Sequence, residues 1–168
     1  MKNFWNIFLL ITAVLAIGFF FMLRHFLNTK IETISYDKDI DKIELNLCNE
    51  DRVLQYYMIS TNYNGGKKAI KNKLLPIIQQ NKTSFGLKNG NISIRFVVNC
   101  NGEIGLFRAK SINENLEPTE FDKSNIDYLI SLVGELDDWY VETKKEKKYD
   151  SYYFINFKIE NGLITDIF

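Results

Sequence analysis

The spacing of apolar residues changes along this chain, and each change predicts a different element. From Phe4 to Leu23 the run FWNIFLLITAVLAIGFFFML is 20 residues long, interrupted only by Asn6 and Thr12 and by no charge. As a helix it is about 30 Å long, the thickness of a bilayer's hydrocarbon core. It predicts a transmembrane anchor over residues 1–23, with a cleaved secretory signal as the other reading. Against cleavage, Phe19 to Leu23 is bulky throughout and Arg24-His25 follows, so no small-x-small site ends the run. Residues 24–41 are polar without a period and read as a linker, leaving 42–168 as one folded domain.

Within that domain a period of two recurs. Ile43 to Cys48 and Val53 to Ser60 each read as strands, with Asn49-Glu50-Asp51 as a turn that could pair them, although Val53 to Ser60 also suits a short helix. Ile92, Ile94, Phe96 and Val98 alternate with Ser93, Arg95, Val97 and Asn99. Asn101-Gly102 then supplies a tight turn into Ile104, Leu106 and Phe107. A two-residue loop there sets Phe96 opposite Phe107 and Val97 opposite Leu106, so both faces of the hairpin are apolar and both need covering. Tyr153, Ile155, Phe157 and Ile159 alternate in the same way, and Asn161-Gly162 turns the chain into a last strand, Leu163 to Phe168.

Two stretches carry helical spacing. After Gly65-Gly66, the residues Ile70, Leu74, Ile77 and Ile78 share a face, and Pro76 is expected to kink or end that helix near Leu75. Asp122 is an N-cap for a helix of about four turns striped by Ile126, Leu129, Ile130, Val133 and Leu136, with Trp139 covering the end of the core. Ser111 to Thr119 and Glu142 to Lys148 read as loops. The order predicts an α+β domain, an antiparallel sheet with two helices packed on one face, behind one N-terminal transmembrane helix.

Composition narrows the chemistry. Lys plus Arg and Asp plus Glu both number 21, so no global field draws nucleic acid. One His, His25 at the membrane boundary, and two Cys cannot assemble a zinc set, and the same count removes histidine acid/base catalysis. The carboxylates at Asp37 to Asp41 and Asp137-Asp138 lie in predicted loops among lysines, the pattern of solvated surface. Gly65-Gly66 lacks the remaining residues of a phosphate loop. No cofactor and no catalytic residue is expected. Cys48 and Cys100 form a disulfide if their strands are neighbours and are two separate thiols otherwise.

Tyr63-x-Gly65-Gly66 before a helix with Ala69 and Leu74, Ile92 to Val98 running into Asn99-Cys100-Asn101-Gly102-Glu103-Ile104, Leu136 to Trp139, and the strand Tyr152 to Ile159 together resemble the C-terminal domain of the energy transducer TonB family. The likeness covers about residues 62–168. It implies that the N-terminal helix sits in the inner membrane beside motor subunits, and that the domain is periplasmic. Flanking basic residues alone, Lys2 before the run against Arg24, Lys30, Lys38 and Lys42 after it, would favour a cytoplasmic domain. It also implies that the domain binds a peptide of an outer-membrane transporter by strand addition. The expected acceptor is the terminal strand, Leu163, Ile164, Thr165, Asp166 and Ile167, since a terminal strand is a common free edge. The same edge could instead be covered by the 43–60 hairpin or by a second copy in a homodimer, which would make the protein a self-associating envelope component. Unlike the family's transducers, this chain has no Pro-rich spacer between Leu23 and Ile43.

Overall fold

The computed structural model describes residues 2–30, 34–41, 44–49, 53–81, 83–86, 89–141 and 149–168. Ile43, the Asn49 to Asp51 turn and the charged stretch 142–148 fall wholly or partly outside them. The chain divides into two compact units, Met1–Thr33 and Ile34–Phe168.

The first unit is one helix, α1 (Lys2–Lys30), whose segment Phe4–Arg24 is long and apolar enough to cross a membrane. Its apolar side chains, from Phe4 to Leu23, are exposed. The Thr12 hydroxyl donates to the Phe8 and Leu9 carbonyls at 3.2 and 2.9 Å, so the one hydroxyl in the run satisfies itself within the helix.

The second unit is α+β. A five-stranded sheet is built on β3 (Asn89–Val98), β4 (Ile104–Asn113) and β6 (Asp150–Glu160), in the order β4-β3-β6. The far border of β6 is shared: β1 (Val53–Gln55) pairs with its first residues and β7 (Leu163–Ile167) with its last. Because β1 runs parallel to β6, the sheet is mixed, which corrects the all-antiparallel expectation. Val53 to Ser60 also departs from a single strand. It is three strand residues followed by one 3-10 turn, Tyr56–Met58, and residues 44–47 are not a strand that could pair with it. A separate two-stranded piece, β2 (Asn62–Tyr63) with β5 (Trp139–Tyr140), packs the Tyr63 and Trp139 rings at 5.2 Å.

Both remaining helices pack on one sheet face. α2 (Gly66–Asn81) buries Ile70, Leu74 and Ile78, while Ile77 is exposed. α3 (Lys123–Gly134) buries Leu129, Leu132 and Val133, each contributing about 1.5–3 kcal/mol of apolar transfer. These meet Ile92, Ile94, Phe96 and Val98 of β3 and Tyr153, Ile155, Phe157 and Ile159 of β6, the alternating sets read from the sequence. Asp122 caps α3 by accepting from the Ser124 N–H at 2.8 Å. α3 ends at Gly134, two residues short of the stripe's last position, and Leu136 is buried beyond it. Pro76 lies inside α2 and does not end it.

The β3–β4 connection is longer than a two-residue turn. Asn99 N–H donates to the Glu103 carbonyl at 2.8 Å, closing a loop in which Gly102, at φ +85°, takes the left-handed position. Buried Asn99 organises it: its Oδ1 accepts from the Asn101 and Glu103 amides at 3.0 and 2.9 Å. Val97 therefore faces Gly105 rather than Leu106, and β4 carries one extra residue at Leu106, whose φ is +55°. The bulge restores the alternation, so Phe107 still stacks near Phe96, at 5.5 Å between ring centres.

The second sheet face is covered in part by the stretch expected to be linker. Ile34 packs with Val97, Leu106 and Tyr152, joined by Leu45, Leu47 and Val53. Residues 34–41 therefore belong to the domain, which begins before position 42. Gly105 admits Leu45 closely; a Cβ there would stand 3.2 Å from the Leu45 Cβ.

Candidate strand-acceptor edge

A sheet can add a strand only where a border is unpaired, so the two outer borders decide the matter. β4 forms one of them, and this chain occupies part of it. After Asn113 the backbone doubles back: Thr119 N–H donates to the Ser111 carbonyl at 3.1 Å, and Ile112 bridges Pro118. Further along, Arg108 Nη1 donates to the Phe107 carbonyl at 2.7 Å, occupying an acceptor that an incoming strand would need.

The other border is shared by three-residue β1 and by β7. β7 follows the turn Asn161-Gly162, whose φ values of +52° and +75° make a tight hairpin with the right twist. In such a turn Glu160 and Leu163 form the hydrogen-bonded pair, so Ile164, opposite Ile159, directs its amide and carbonyl to the outer border. Pairing with β6 shifts between Lys158 and Ile159 and resumes at Asp166 and Ile167; Phe168 then exchanges two 3.0 Å bonds with Asn156. Among the described residues β7 pairs with no strand but β6. α2 packs against it.

The five expected acceptor residues divide by face. Ile164 and Ile167 are buried in the core, which fixes the register of the strand. Leu163 and Thr165 are exposed, and the Thr165 hydroxyl donates to Glu160 Oε2 at 2.7 Å. Asp166 plays a part that alternation does not reveal. Its Oδ1 accepts from the Ile167 amide at 2.7 Å and meets Lys71 Nζ of α2 at 2.6 Å. The Lys71 ammonium first, and the Ile167 N–H after it, hold the Asp166 carboxyl below its ordinary value. One backbone donor near the border is therefore already occupied by a side chain of the strand itself.

Cys48 and Cys100 are joined by a disulfide, with 6.0 Å between their Cα atoms. Beside it lies fully buried Asp150, whose carboxylate accepts from the Asn49 amide at 2.8 Å and the Cys100 amide at 3.0 Å. One carboxylate thus fixes the backbone next to both half-cystines. The cysteines offered a sequence signal for this pairing; Asp150 offered none, since its partners lie 101 and 50 residues away. Asp37, Asp41, Asp137 and Asp138 do not converge on a cleft: Asp41 pairs with Arg108 and Asp137 with Lys73. An open polar cleft of about 280 Å³ lies where β3, β4 and β6 end together, lined by Asn89, Asn91, Glu114, Lys158 and Glu160 among others. Two of its carboxylates are taken, Glu114 by Asn89 and Glu160 by Lys158.

Compared with family models, with characterised proteins and with solved structures, the chain finds no match.

Proposed function

We propose that this chain is a single-pass inner-membrane protein whose periplasmic domain is a TonB-like protein-binding module, not an enzyme, and that β7 accepts an extended peptide on its outer border. The observation that carries this reading is a difference between two edge strands: β7 and β4 are each strand-paired on one side only, but the chain doubles back over the end of the β4 border and Arg108 takes the Phe107 carbonyl there. The Ile164 amide and carbonyl would make the first backbone bonds. Exposed Leu163 and Thr165 would contact the partner's side chains, and Asp166 would swing aside to free the Ile167 amide. By its resemblance, the partner is a segment of an outer-membrane transporter, and α1 meets inner-membrane motor subunits that supply the energy.

The test is photocrosslinking in intact cells, with a benzophenone side chain placed at exposed Leu163 or Thr165 and, as control, at exposed Asn115 beside the β4 border. An outer-membrane protein captured from 163 and 165 but not from 115 supports the reading. Capture of a second copy of the chain alone supports a self-associating envelope component instead. Capture of cytoplasmic proteins alone reverses the orientation.

A further inference from the structure

A pull passed along the chain from α1 enters the second unit at Ile34, its first residue. What it meets there is not a strand. Residues 34–41 and 44–47 lie across the second sheet face without a ladder of backbone bonds. They are held at separate points: the Ile34 amide on the Tyr152 hydroxyl at 3.2 Å, the Ser35 carbonyl and Asp41 carboxylate on Arg108, and the Asn46 carbonyl on Asn99 Nδ2 at 2.9 Å. Such contacts yield one after another when the segment is drawn from its free end. The sheet beneath is different in kind, since β3 is paired along both borders.

Directly after this stretch, Cys48 is covalently joined to Cys100 in the β3–β4 loop. We propose that the described stretches 34–41 and 44–47 form a detachable strap that lengthens the membrane tether under load, and that the Cys48–Cys100 bond is the stop that ends its travel. Fourteen residues drawn out add at most about 50 Å of chain. Beyond them the pull passes through the disulfide into the centre of the sheet, which stays folded. The proposal rests on the reading that this protein works under load between a membrane anchor and a bound partner.

The experiment uses the full chain in a nanodisc fixed to a surface, pulled in magnetic tweezers by a handle clicked onto residue 161 in the exposed β6–β7 turn. The expected record is a short reversible extension of no more than about 50 Å before the domain unfolds. Asp41→Asn, or Arg108→Lys should the first variant fold poorly, lowers the force of that extension and leaves its length unchanged. Dithiothreitol, or Cys48→Ser with Cys100→Ser, lengthens it by removing the stop. A single all-or-none unfolding overturns the proposal, as does an early step that ignores both the Arg108–Asp41 variants and reduction. No peptide is present, so this result stands apart from the crosslinking outcome at β7.

Discussion

Arg108 grips Asp41 with both terminal nitrogens, Nη1 to Oδ1 at 2.8 Å and Nη2 to Oδ2 at 2.9 Å, across 67 residues of chain. The side chain of Asp41 is only 5% exposed. Burial pushes its carboxyl up, but the Arg108 hydrogen bonds, the Asp37 amide and the Arg108 charge together outweigh burial and hold it below 3.8. A carboxylate whose folded value is depressed stabilises the fold above its unfolded value and loses that contribution as pH falls through the folded one. Asp41→Asn should therefore cost about 1–2 kcal/mol at neutral pH, the range for a paired charge that keeps some solvent contact. The cost should shrink in acid, once the pH falls through the carboxyl's depressed folded value and the wild-type side chain itself takes up a proton. Urea titrations of both proteins at neutral pH and in acid check this; an unchanged difference in acid would show that the charge is not what matters.

A buried hydroxyl pair offers a second test. Thr61 Oγ1 and Ser151 Oγ stand 2.6 Å apart, with both residues nearly or fully buried, so each satisfies the other. Ser151→Ala leaves Thr61 without its partner and should cost about 1–3 kcal/mol. Adding Thr61→Val to that variant removes the stranded group at similar shape and should recover part of the loss. A double-mutant cycle in denaturant reads the coupling directly, and strict additivity of the two changes would contradict a shared bond.

The elements legible in the sequence are those whose evidence is local. Alternation at Ile92 to Val98 and Tyr153 to Ile159 marks β3 and β6, and the Asp122 cap with its apolar stripe marks α3. Elements specified by distant partners are not legible. Ile34 stands alone in a polar stretch, and the alternation of Leu45 and Leu47 reads as a strand that does not form; Ile34 is buried and the two leucines partly buried because Val97, Leu106 and Tyr152 lie opposite them. At β1 a strand is legible from Val53 onward, but its parallel partner near residue 150 is not. At β7 the Asn-Gly turn and alternating Ile164 and Ile167 set the strand, but an aspartate between them reads as solvent-facing rather than as a cap on the next amide.

Gly102 sits at φ +85°, and a Cβ built there would stand 2.9 Å from the Trp139 carbonyl oxygen. That oxygen is backbone and cannot turn away as a flexible side chain would. Gly102→Ala therefore combines left-handed strain of about 1–2 kcal/mol with a displacement of β5, and should lower stability by roughly 2 kcal/mol or more. Gly134→Ala is the matched control: at the end of α3 its Cβ meets nothing within 4 Å, and the change should be neutral or stabilising. Thermal melts of the two variants should separate clearly; equal melting temperatures would mean the loop yields more readily than this packing implies.

Pro76 is the position where local rule and tertiary context disagree most openly. A proline inside a helix removes a hydrogen bond to the carbonyl four residues back, here that of Asn72, and crowds it. Yet α2 continues to Asn81, because Ile70, Leu74 and Ile78 are each at most 2% exposed and their burial on β3 and β6 holds the helix on both sides of the break. Asn72 and Pro76 are both exposed, so water can serve the carbonyl that lost its donor. The helix thus tolerates a cost that packing offsets, and removing it should show. Pro76→Ala restores the donor and a better helix former without touching the core, and should raise unfolding free energy by about 1–3 kcal/mol. Hydrogen exchange gives the local readout: the amide that this substitution introduces should be protected to the same degree as its neighbours. Rapid exchange there, with no gain in stability, would mean that α2 is shaped by its packing alone and does not close the missing bond.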